Sequence, residues 1–175
     1  MQATRHLLLL RHAKSDGARM GQADFDRPLN EHGRQTVMNM ALLMQNEHLV
    51  PEEIVSSDAE RARETTLALC RFSEIDSSII SWRHSIYEAS LETLLNVVAQ
   101  TSEKTHTLLL VGHNPGIERL VRHLADESLQ QWTQGHLIPT AALCHLSFSG
   151  LWRDISRACS VVNRIARPRQ LFNEL

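Results

Sequence analysis

Short aliphatic runs alternate along the chain with longer stretches in which apolar residues recur every three or four positions. The first pattern is typical of buried strands and the second of amphipathic helices. Strands are predicted at 5–11, 53–56, 79–83, 106–112, 141–148 and near 160–166. Helices are predicted from Asn30 to about residue 48, from Asp58 to about Phe72, after Ser90, and after Pro115 to about Asp126. Residues 12–29 show neither pattern and are predicted to form a long loop, of the kind that often carries function.

The predicted helices have start signals and apolar faces. Asn30, Asp58 and Ser90 are of the residue types that cap helix N-termini, and Pro115 stands near the first turn of the last helix. The predicted buried positions of the first three helices are Val37, Met40, Ala41 and Met44; Ala62, Thr66 and Leu69; and Leu91, Leu94, Leu95 and Val98. The strand at 141–148 alternates, and one of its faces holds Ala142, Cys144, Leu146 and Phe148.

Strands that alternate with helices predict an α/β domain of three layers, in which helices cover both faces of a mostly parallel sheet. In such sheets a ligand binds beyond the carboxyl ends of the strands. Polar segments follow three of the predicted strands at that position: Arg11-His12, Ser56-Ser57-Asp58 and His113-Asn114. The sequence therefore predicts that these segments meet at one edge of the sheet.

Composition narrows the classes of function. The 175 residues, 42% of them hydrophobic and 22% charged, suit a single domain that covers 1–175. A net charge of −2 gives no sign of a nucleic acid or an anionic membrane as partner. Cys70, Cys144 and Cys159 form no CxxC pair, which argues against a disulfide framework or a structural zinc site. The run Leu7–Leu10 is too short for a leader or a membrane span, so the cytoplasm is the expected location.

Four motifs occur in order, each at a predicted strand end or helix start. They are Arg11-His12-Ala13-Lys14-Ser15, residues 26–33 (DRPLNEHG), residues 56–66 (SSDAERARETT) and residues 111–116 (VGHNPG). With these motifs the chain resembles the histidine phosphatase superfamily, and most closely its compact branch, the SixA-type phosphohistidine phosphatases. The resemblance covers nearly the whole chain and implies a phosphoglycerate mutase-like fold. Asn30 stands where the family motif more commonly has Thr or Ser; since Asn caps helices equally well, we expect no functional loss.

The resemblance implies that His12 is the nucleophile that accepts the phosphoryl group. It also implies that Arg11, Arg61 and His113 line the phosphate pocket and that the backbone at Asn114 adds a donor. These residue types suit the chemistry, because a neutral imidazole is nucleophilic near neutral pH and guanidinium groups donate charge-assisted hydrogen bonds to phosphate. Neither a metal ion nor another cofactor is expected, and inorganic phosphate is the expected product.

Two further roles stay open from the residues alone. Lys14 is a candidate substrate-binding residue beside the nucleophile. Glu88 is the preferred candidate for the general acid, because it lies between the third predicted strand and the helix that follows. Asp16, Asp24 and Asp26 on the long loop are the alternatives.

The length of one connection bears on the substrate. Only the seven residues from Arg83 to Ala89 join the third predicted strand to the next helix, which leaves little room for a lid or cap over the site. An open pocket favours a phosphorylated side chain on a protein, and hence a protein phosphohistidine phosphatase. A phosphatase of a small ester, such as a sugar phosphate or a nucleotide, is the alternative. An inactive module that binds phosphorylated partners is disfavoured, because the chain has the full set of Arg11, His12, Arg61 and His113.

Overall fold

The computed structural model of the chain describes residues 3–132 and 135–168. Its strands are β1 (Thr4–Arg11), β2 (Glu53–Ser56), β3 (Ile80–Trp82), β4 (Thr107–Gly112), β5 (Leu143–Ser149) and β6 (Val161–Ala166). Its α-helices are α1 (Glu31–Asn46), α2 (Glu60–Ser73), α3 (Leu91–Ala99) and α4 (Gly116–Leu124). Each of these elements was predicted, with most boundaries within two or three residues. Within the described residues, no helix is both long and apolar enough to span a membrane.

The described strands form one sheet in the order β3-β2-β4-β1-β5-β6. Strands β3, β2, β4 and β1 are parallel to their neighbours, whereas β5 runs antiparallel to β1 and β6 antiparallel to β5. The predicted mostly parallel sheet is confirmed. Because β1, β4 and β2 are adjacent and parallel, their carboxyl ends lie side by side at one edge.

Helices cover both faces of the sheet, as the three-layer prediction requires. Successive side chains of β1 point to opposite faces, so Leu7 and Leu9 enter one apolar core and Leu8 and Leu10 the other. The first core includes side chains from α3 and α4, and the second includes side chains from α1 and α2. The chain thus builds an α/β/α sandwich with two separate cores.

The predicted N-caps are confirmed for two helices and wrong for one. The Asn30 side chain accepts a hydrogen bond from the Gly33 amide, and the Ser90 side chain accepts one from Thr93. The predicted cap Asp58 is not the cap of α2, which begins after Ala59 without a side-chain cap. The Asp58 carboxylate instead lies 3.1 Å from a ring nitrogen of His84, which belongs to the connection between β3 and α3.

The long loop after β1 passes beside the carboxyl edge of the sheet. It holds a short 3₁₀ turn at Asp24–Asp26 and returns to itself through a bridge between Ser15 and Leu29. The connection between β3 and α3 holds another 3₁₀ turn, at His84–Ile86. These two segments form the sides of the site described next.

Candidate active site

Three strand ends bring the predicted site residues together. The His12 amide, directly after β1, donates to the Gly112 carbonyl of β4 at 3.0 Å. The Ser57 amide, directly after β2, donates to the Val111 carbonyl at 3.0 Å. The sheet hydrogen bonding therefore continues one residue past the strands and fixes His12, Ser57 and His113 in adjacent positions. The predicted meeting of three segments at one edge is confirmed.

His12 is buried and has a defined arrangement of its two ring nitrogens. Its Nδ1 lies 2.7 Å from the Ala13 carbonyl, and its Nε2 lies 3.3 Å from Nε of Arg61. A carbonyl only accepts and a guanidinium only donates, so the proton is on Nδ1 and the lone pair is on Nε2. Burial lowers the pKa of His12 to about 4, and the nearby arginine charges act in the same direction. Nε2 is thus an unprotonated nitrogen at neutral pH.

Arg61 presents its whole guanidinium to the site from the first turn of α2. Besides the contact to His12, its Nη1 donates to the Asp24 carbonyl at 2.6 Å and its Nη2 to the Asp24 carboxylate at 2.8 Å. The guanidinium carbon lies 5.8 Å from the centre of the Tyr87 ring. A buried, fixed cation of this kind is suited to hold the oxygens of a phosphoryl group.

Arg11 and Asn114 donate to the same acceptor, a backbone carbonyl in the segment that precedes β5. Arg11 Nη1 and Asn114 Nδ2 each donate to the Ile138 carbonyl at 3.0 Å. Arg11 Nε is buried and has no partner within the described residues, so one donor is left for a ligand. Burial lowers the pKa of Arg11 from its ordinary value, while Glu118 raises it.

His113 packs directly against His12. The centres of the two imidazole rings are 4.9 Å apart, and the edge of the Tyr87 ring lies 5.4 Å away on another side. The Nε2 atom of His113 lies 2.9 Å from the Ser57 hydroxyl. Burial is the main reason why the pKa of His113 is lowered to about 3, and the positive charge of Arg61 acts in the same direction, so the ring is neutral at neutral pH.

The structure separates the four candidate carboxylates. Asp24 lies in the site, where its carboxylate accepts from Arg61 and from the Tyr87 hydroxyl at 2.9 Å, and from Arg27 at 2.6 Å. These bonds, with that from Arg27 the strongest, lower the pKa of Asp24 to about 2.

Glu88, Asp16 and Asp26 are placed differently. Glu88 is exposed, has a left-handed backbone with φ of 50°, and makes no hydrogen bond or ion pair to the described part of the chain. The Asp16 carboxylate lies 3.9 Å from exposed Arg19, and Asp26 is exposed in the turn that carries Asp24. The general-acid role given to Glu88 therefore stays a prediction, without a contact that supports it.

Lys14 lies two residues after His12, and its side chain is exposed. The side chain makes no hydrogen bond or ion pair to residues 3–132 or 135–168, whereas the Lys14 carbonyl accepts from the Asn30 amide at 3.0 Å. Its role in substrate binding stays a prediction.

Sequence reasoning missed three contributors to the site: Tyr87, Ser57 and the Ile138 carbonyl. Tyr87 is the only tyrosine of the chain and precedes Glu88, so the correct segment was found but not the side chain that points inward. Ser57 lies in one of the three polar segments predicted to meet at the site, but no role was predicted for its side chain. Ile138 lies in a segment without any polar pattern, so nothing in the sequence marked its carbonyl.

The arrangement is suited to phosphoryl transfer. It combines a neutral nucleophilic nitrogen, two guanidinium groups and a second buried imidazole around one space, and charge stabilisation of this kind is the main catalytic requirement of that reaction. Among the described residues, no group of three or more His, Cys, Asp and Glu side chains is placed to hold a metal ion.

Comparisons with known proteins agree with this chemistry. Residues 7–83 match the family model of the histidine phosphatase superfamily (branch 1). An uncharacterized protein of Mycobacterium tuberculosis is 30% identical over 165 residues, which cover 91% of this chain and 100% of that protein. An uncharacterized chloroplastic protein of Arabidopsis thaliana is 31% identical over 135 residues, and the match spans 73% of this chain but only 62% of that protein. A solved structure from Agrobacterium tumefaciens, named as a candidate phosphohistidine phosphatase SixA, is 32% identical with a TM-score of 0.79, covering 94% of this chain and 98% of that one.

Proposed function

The chain belongs to the histidine phosphatase superfamily and to its SixA-type branch, and from this we propose that it removes phosphoryl groups from phosphohistidine in proteins, with His12 as the nucleophile. The observation that carries the proposal is the state of His12. Its Nδ1 proton is held by a backbone carbonyl, and its Nε2 lone pair lies beside the Arg61 guanidinium.

The reaction has two displacements at phosphorus. In the first, His12 Nε2 forms a bond to phosphorus while the bond from phosphorus to the substrate nitrogen breaks, and the leaving imidazole takes a proton from solvent. In the second, water attacks the phosphorus of phospho-His12, the Nε2–phosphorus bond breaks, and inorganic phosphate leaves. Arg11, Arg61, His113 and the Asn114 amide stabilise the phosphoryl oxygens in both transition states.

The carboxylates favour a nitrogen leaving group over an alkoxide. Hydrolysis of a phosphate ester expels an alkoxide, which needs a proton from an acid of the enzyme. Asp24 is the carboxylate in contact with the site, and its pKa of about 2 means that it carries no proton at neutral pH. An ionised Asp24 instead accepts a hydrogen bond from the water of the second step and orients it for attack, and the proton of that water is released to solvent. The P–N bond of phosphohistidine is labile, and its imidazole can be protonated by solvent.

The surroundings of the site favour a macromolecular substrate. Asp24 is about half exposed, with 47% of its side-chain surface accessible, and His84 on the opposite segment is 74% exposed. A phosphorylated side chain presented by a protein can enter such an opening. The assignment of 1–175 to one domain without a cap, the absence of nucleic-acid or membrane partners, and the cytoplasmic location stay predictions from the sequence.

The test compares substrate classes on one enzyme preparation. We expect kcat/KM on a phosphohistidine protein to exceed that on a panel of sugar phosphates and nucleotides by at least about 100-fold, which corresponds to ~2.7 kcal/mol. Glu88→Gln should reduce ester hydrolysis more than phosphohistidine hydrolysis, because only the ester needs a strong acid. A small ester that is the better substrate, with Glu88 essential for it, would transfer the assignment to the ester phosphatases.

A trapping experiment tests the nucleophile. Labelled substrate followed by denaturing quench should give an acid-labile, base-stable adduct on His12, which is the stability expected of a phosphoramidate. His12→Ala should form no adduct, and His32→Ala, which replaces an exposed histidine of α1, should form it normally. Binding of the phosphoprotein without any turnover would indicate a binding module instead.

A further inference from the structure

The second imidazole of the site has one ring nitrogen with a partner and one without. His113 Nε2 lies 2.9 Å from the Ser57 hydroxyl oxygen. His113 Nδ1 is buried and has no hydrogen-bond partner within the described residues, although only 7% of the residue's surface is accessible. Buried polar atoms are nearly always paired, so an unpaired one that faces a site is available to bind a ligand atom.

The protons of this pair can be assigned from the surroundings of Ser57. A serine hydroxyl has one proton to donate and can accept from other groups. The Ala59 amide, 3.3 Å away, is a donor and so takes one acceptor position of the Ser57 oxygen. Ser57 is fully buried, and within the described part of the chain the one acceptor that its side chain contacts is His113 Nε2. The Ser57 proton therefore points to Nε2, which must itself be unprotonated.

A neutral imidazole with an unprotonated Nε2 carries its proton on Nδ1. His113 is neutral because burial, together with the positive charge of Arg61, lowers its pKa to about 3. The buried nitrogen without a partner is thus an N–H donor in a site lined by groups that bind anions.

We propose that Ser57 is a positioning residue, which fixes His113 as the Nδ1–H tautomer and so directs an N–H donor at an oxygen of the phosphoryl group. The inference rests on the proposed function for the identity of the ligand, but the tautomer itself does not depend on turnover. The opposite tautomer would place a lone pair on Nδ1, and a lone pair repels a phosphoryl oxygen. A hydroxyl that selects one tautomer therefore decides whether His113 attracts or repels the substrate.

The position of Ser57 suits this role. Its amide is bonded to the Val111 carbonyl of β4 at 3.0 Å, one residue before Gly112 and two before His113. The hydroxyl and the imidazole are therefore carried by adjacent strands of the sheet. Ser56, the preceding residue, is equally buried, but its hydroxyl contacts Thr66 at 2.9 Å and the Ser57 carbonyl at 3.0 Å, and so it provides a matched control.

Nuclear magnetic resonance of the ¹⁵N-labelled chain tests the tautomer directly. Long-range proton–nitrogen correlations should show a protonated Nδ1 and an unprotonated Nε2 for His113 in the wild-type protein. Addition of inorganic phosphate should shift the Nδ1 proton downfield as the hydrogen bond forms. A protonated Nε2, or a Nδ1 proton that does not respond while phosphate binds, would overturn the proposal. This measurement needs no variant, so it also covers the case in which a variant does not fold.

Variants then connect the tautomer to the reaction. Ser57→Ala should lower kcat by about 10- to 100-fold, the range found when a metal-bound histidine loses its supporting hydrogen bond, with a smaller change in KM. It should also abolish the single-tautomer pattern of His113, whereas Ser57→Thr should restore both properties and Ser56→Ala should leave both unchanged. A Ser57→Ala enzyme with the wild-type rate and tautomer would refute the role. Lack of turnover of every phosphohistidine substrate by the wild-type protein, with the tautomer as predicted, would refute the proposed function alone.

Discussion

At the scale of single residues, the chemistry depends on the charge of two imidazoles and on the location of their protons. Burial keeps both His12 and His113 neutral. The Ala13 carbonyl then holds the His12 proton on Nδ1, which leaves Nε2 to attack phosphorus. A backbone carbonyl and a buried hydroxyl thus give neighbouring rings different tasks, one as a nucleophile and the other as a donor.

Arg61 offers a test of geometry apart from charge. Arg61→Lys keeps the positive charge but removes the planar fork and the Nε–H that contacts His12, so kcat should fall about 10²- to 10³-fold, as for loss of one transition-state donor. Arg63→Lys is the control on the same helix, because the Arg63 guanidinium lies over the Trp82 ring, 4.5 Å from its centre, rather than in the site. Steady-state kinetics on a phosphohistidine protein measures both. Equal rates for the two variants would place Arg61 outside the reaction.

Asp24 is expected to act in the second displacement. Asp24→Asn removes the carboxylate that orients the attacking water, so hydrolysis of phospho-His12 should slow by about 10²-fold and the adduct should accumulate. Inorganic phosphate should bind more tightly, because the negative charge that contacts Arg61 is gone. Rapid quench and phosphate competition measure the two effects.

Asp26→Asn is the control for this variant, since Asp26 is exposed in the same turn. A normal rate in Asp24→Asn together with a strong loss in Glu88→Gln would return the proton-transfer role to Glu88.

The sequence predicted the residues at strand ends better than those in connections. His12 and His113 follow aliphatic strands that are adjacent in the sheet, so their meeting could be inferred from pattern and topology. The side chain that faces the site from the β3–α3 connection could not be inferred, because the connection has no regular period and nothing in the sequence marks the left-handed backbone at Glu88. In the structure Tyr87 contacts Asp24 and His113, while its acidic neighbour is exposed.

At the scale of elements, the start of α1 and the loop after β1 are in direct contact. A Cβ atom on Gly33 would lie 2.2 Å from the Lys14 carbonyl oxygen, which is closer than atoms can approach. Gly33→Ala should therefore displace the backbone next to His12, lower stability by roughly 1–3 kcal/mol and reduce kcat/KM. Chemical denaturation and steady-state kinetics measure these changes.

Gly17 provides the control from the same loop, because a Cβ atom there would meet nothing within 4 Å. Gly17→Ala should leave stability and activity close to those of the wild type. A stable, fully active Gly33→Ala protein would show that the contact between α1 and the loop does not support the nucleophile.

Helices and strands were predicted correctly where the hydrophobic periodicity was strong. Helix starts were harder to predict where several neighbouring polar residues could each serve as the N-cap. The cap of α1 was correct because Asn30 has the Gly33 amide within reach of its side chain. Asp58 is the right type of residue for a cap, but the cap position of α2 is the next residue, Ala59. The Asp58 carboxylate contacts His84, which is distant in the sequence. The alternation in β5 indicated a strand whose direction the sequence left open, and pairing showed it to be antiparallel.

At the scale of the whole molecule, the net charge of −2 conceals a cluster of cations at one edge of the sheet. Arg11 and Arg61 lie there with neutral histidines between them, so attraction of an anion depends on local placement rather than on total charge. Because burial keeps these histidines neutral, the stability of the folded state should also depend on pH.

Stability should fall on mild acidification, and the cause can be traced to particular histidines. Burial lowers the pKa of His12 to about 4, of His113 to about 3 and of His145 to about 4, from an ordinary 6.5. Between the lowered and the ordinary pKa the unfolded chain binds more protons than the native one, so the free energy of unfolding rises with pH in that window and levels off above it. Each histidine contributes at most about 1.4 kcal/mol per pH unit. Urea denaturation between about pH 5 and about pH 7.5 should show this slope.

His145 allows the effect to be separated from catalysis. It lies on β5 beside His6, with 2.9 Å between their ring nitrogens, away from the site residues. His145→Gln should reduce the slope of the unfolding free energy against pH by up to the contribution of one histidine and should leave activity unchanged. His32→Gln, at an exposed position of α1, should leave that slope unchanged.

Asp24, with a pKa lowered to about 2, loses its stabilising contacts only near pH 2–4, so it does not account for a change above about pH 5. A free energy of unfolding that stays constant from about pH 7.5 to about pH 5 would contradict the neutral, buried state on which the nucleophile depends.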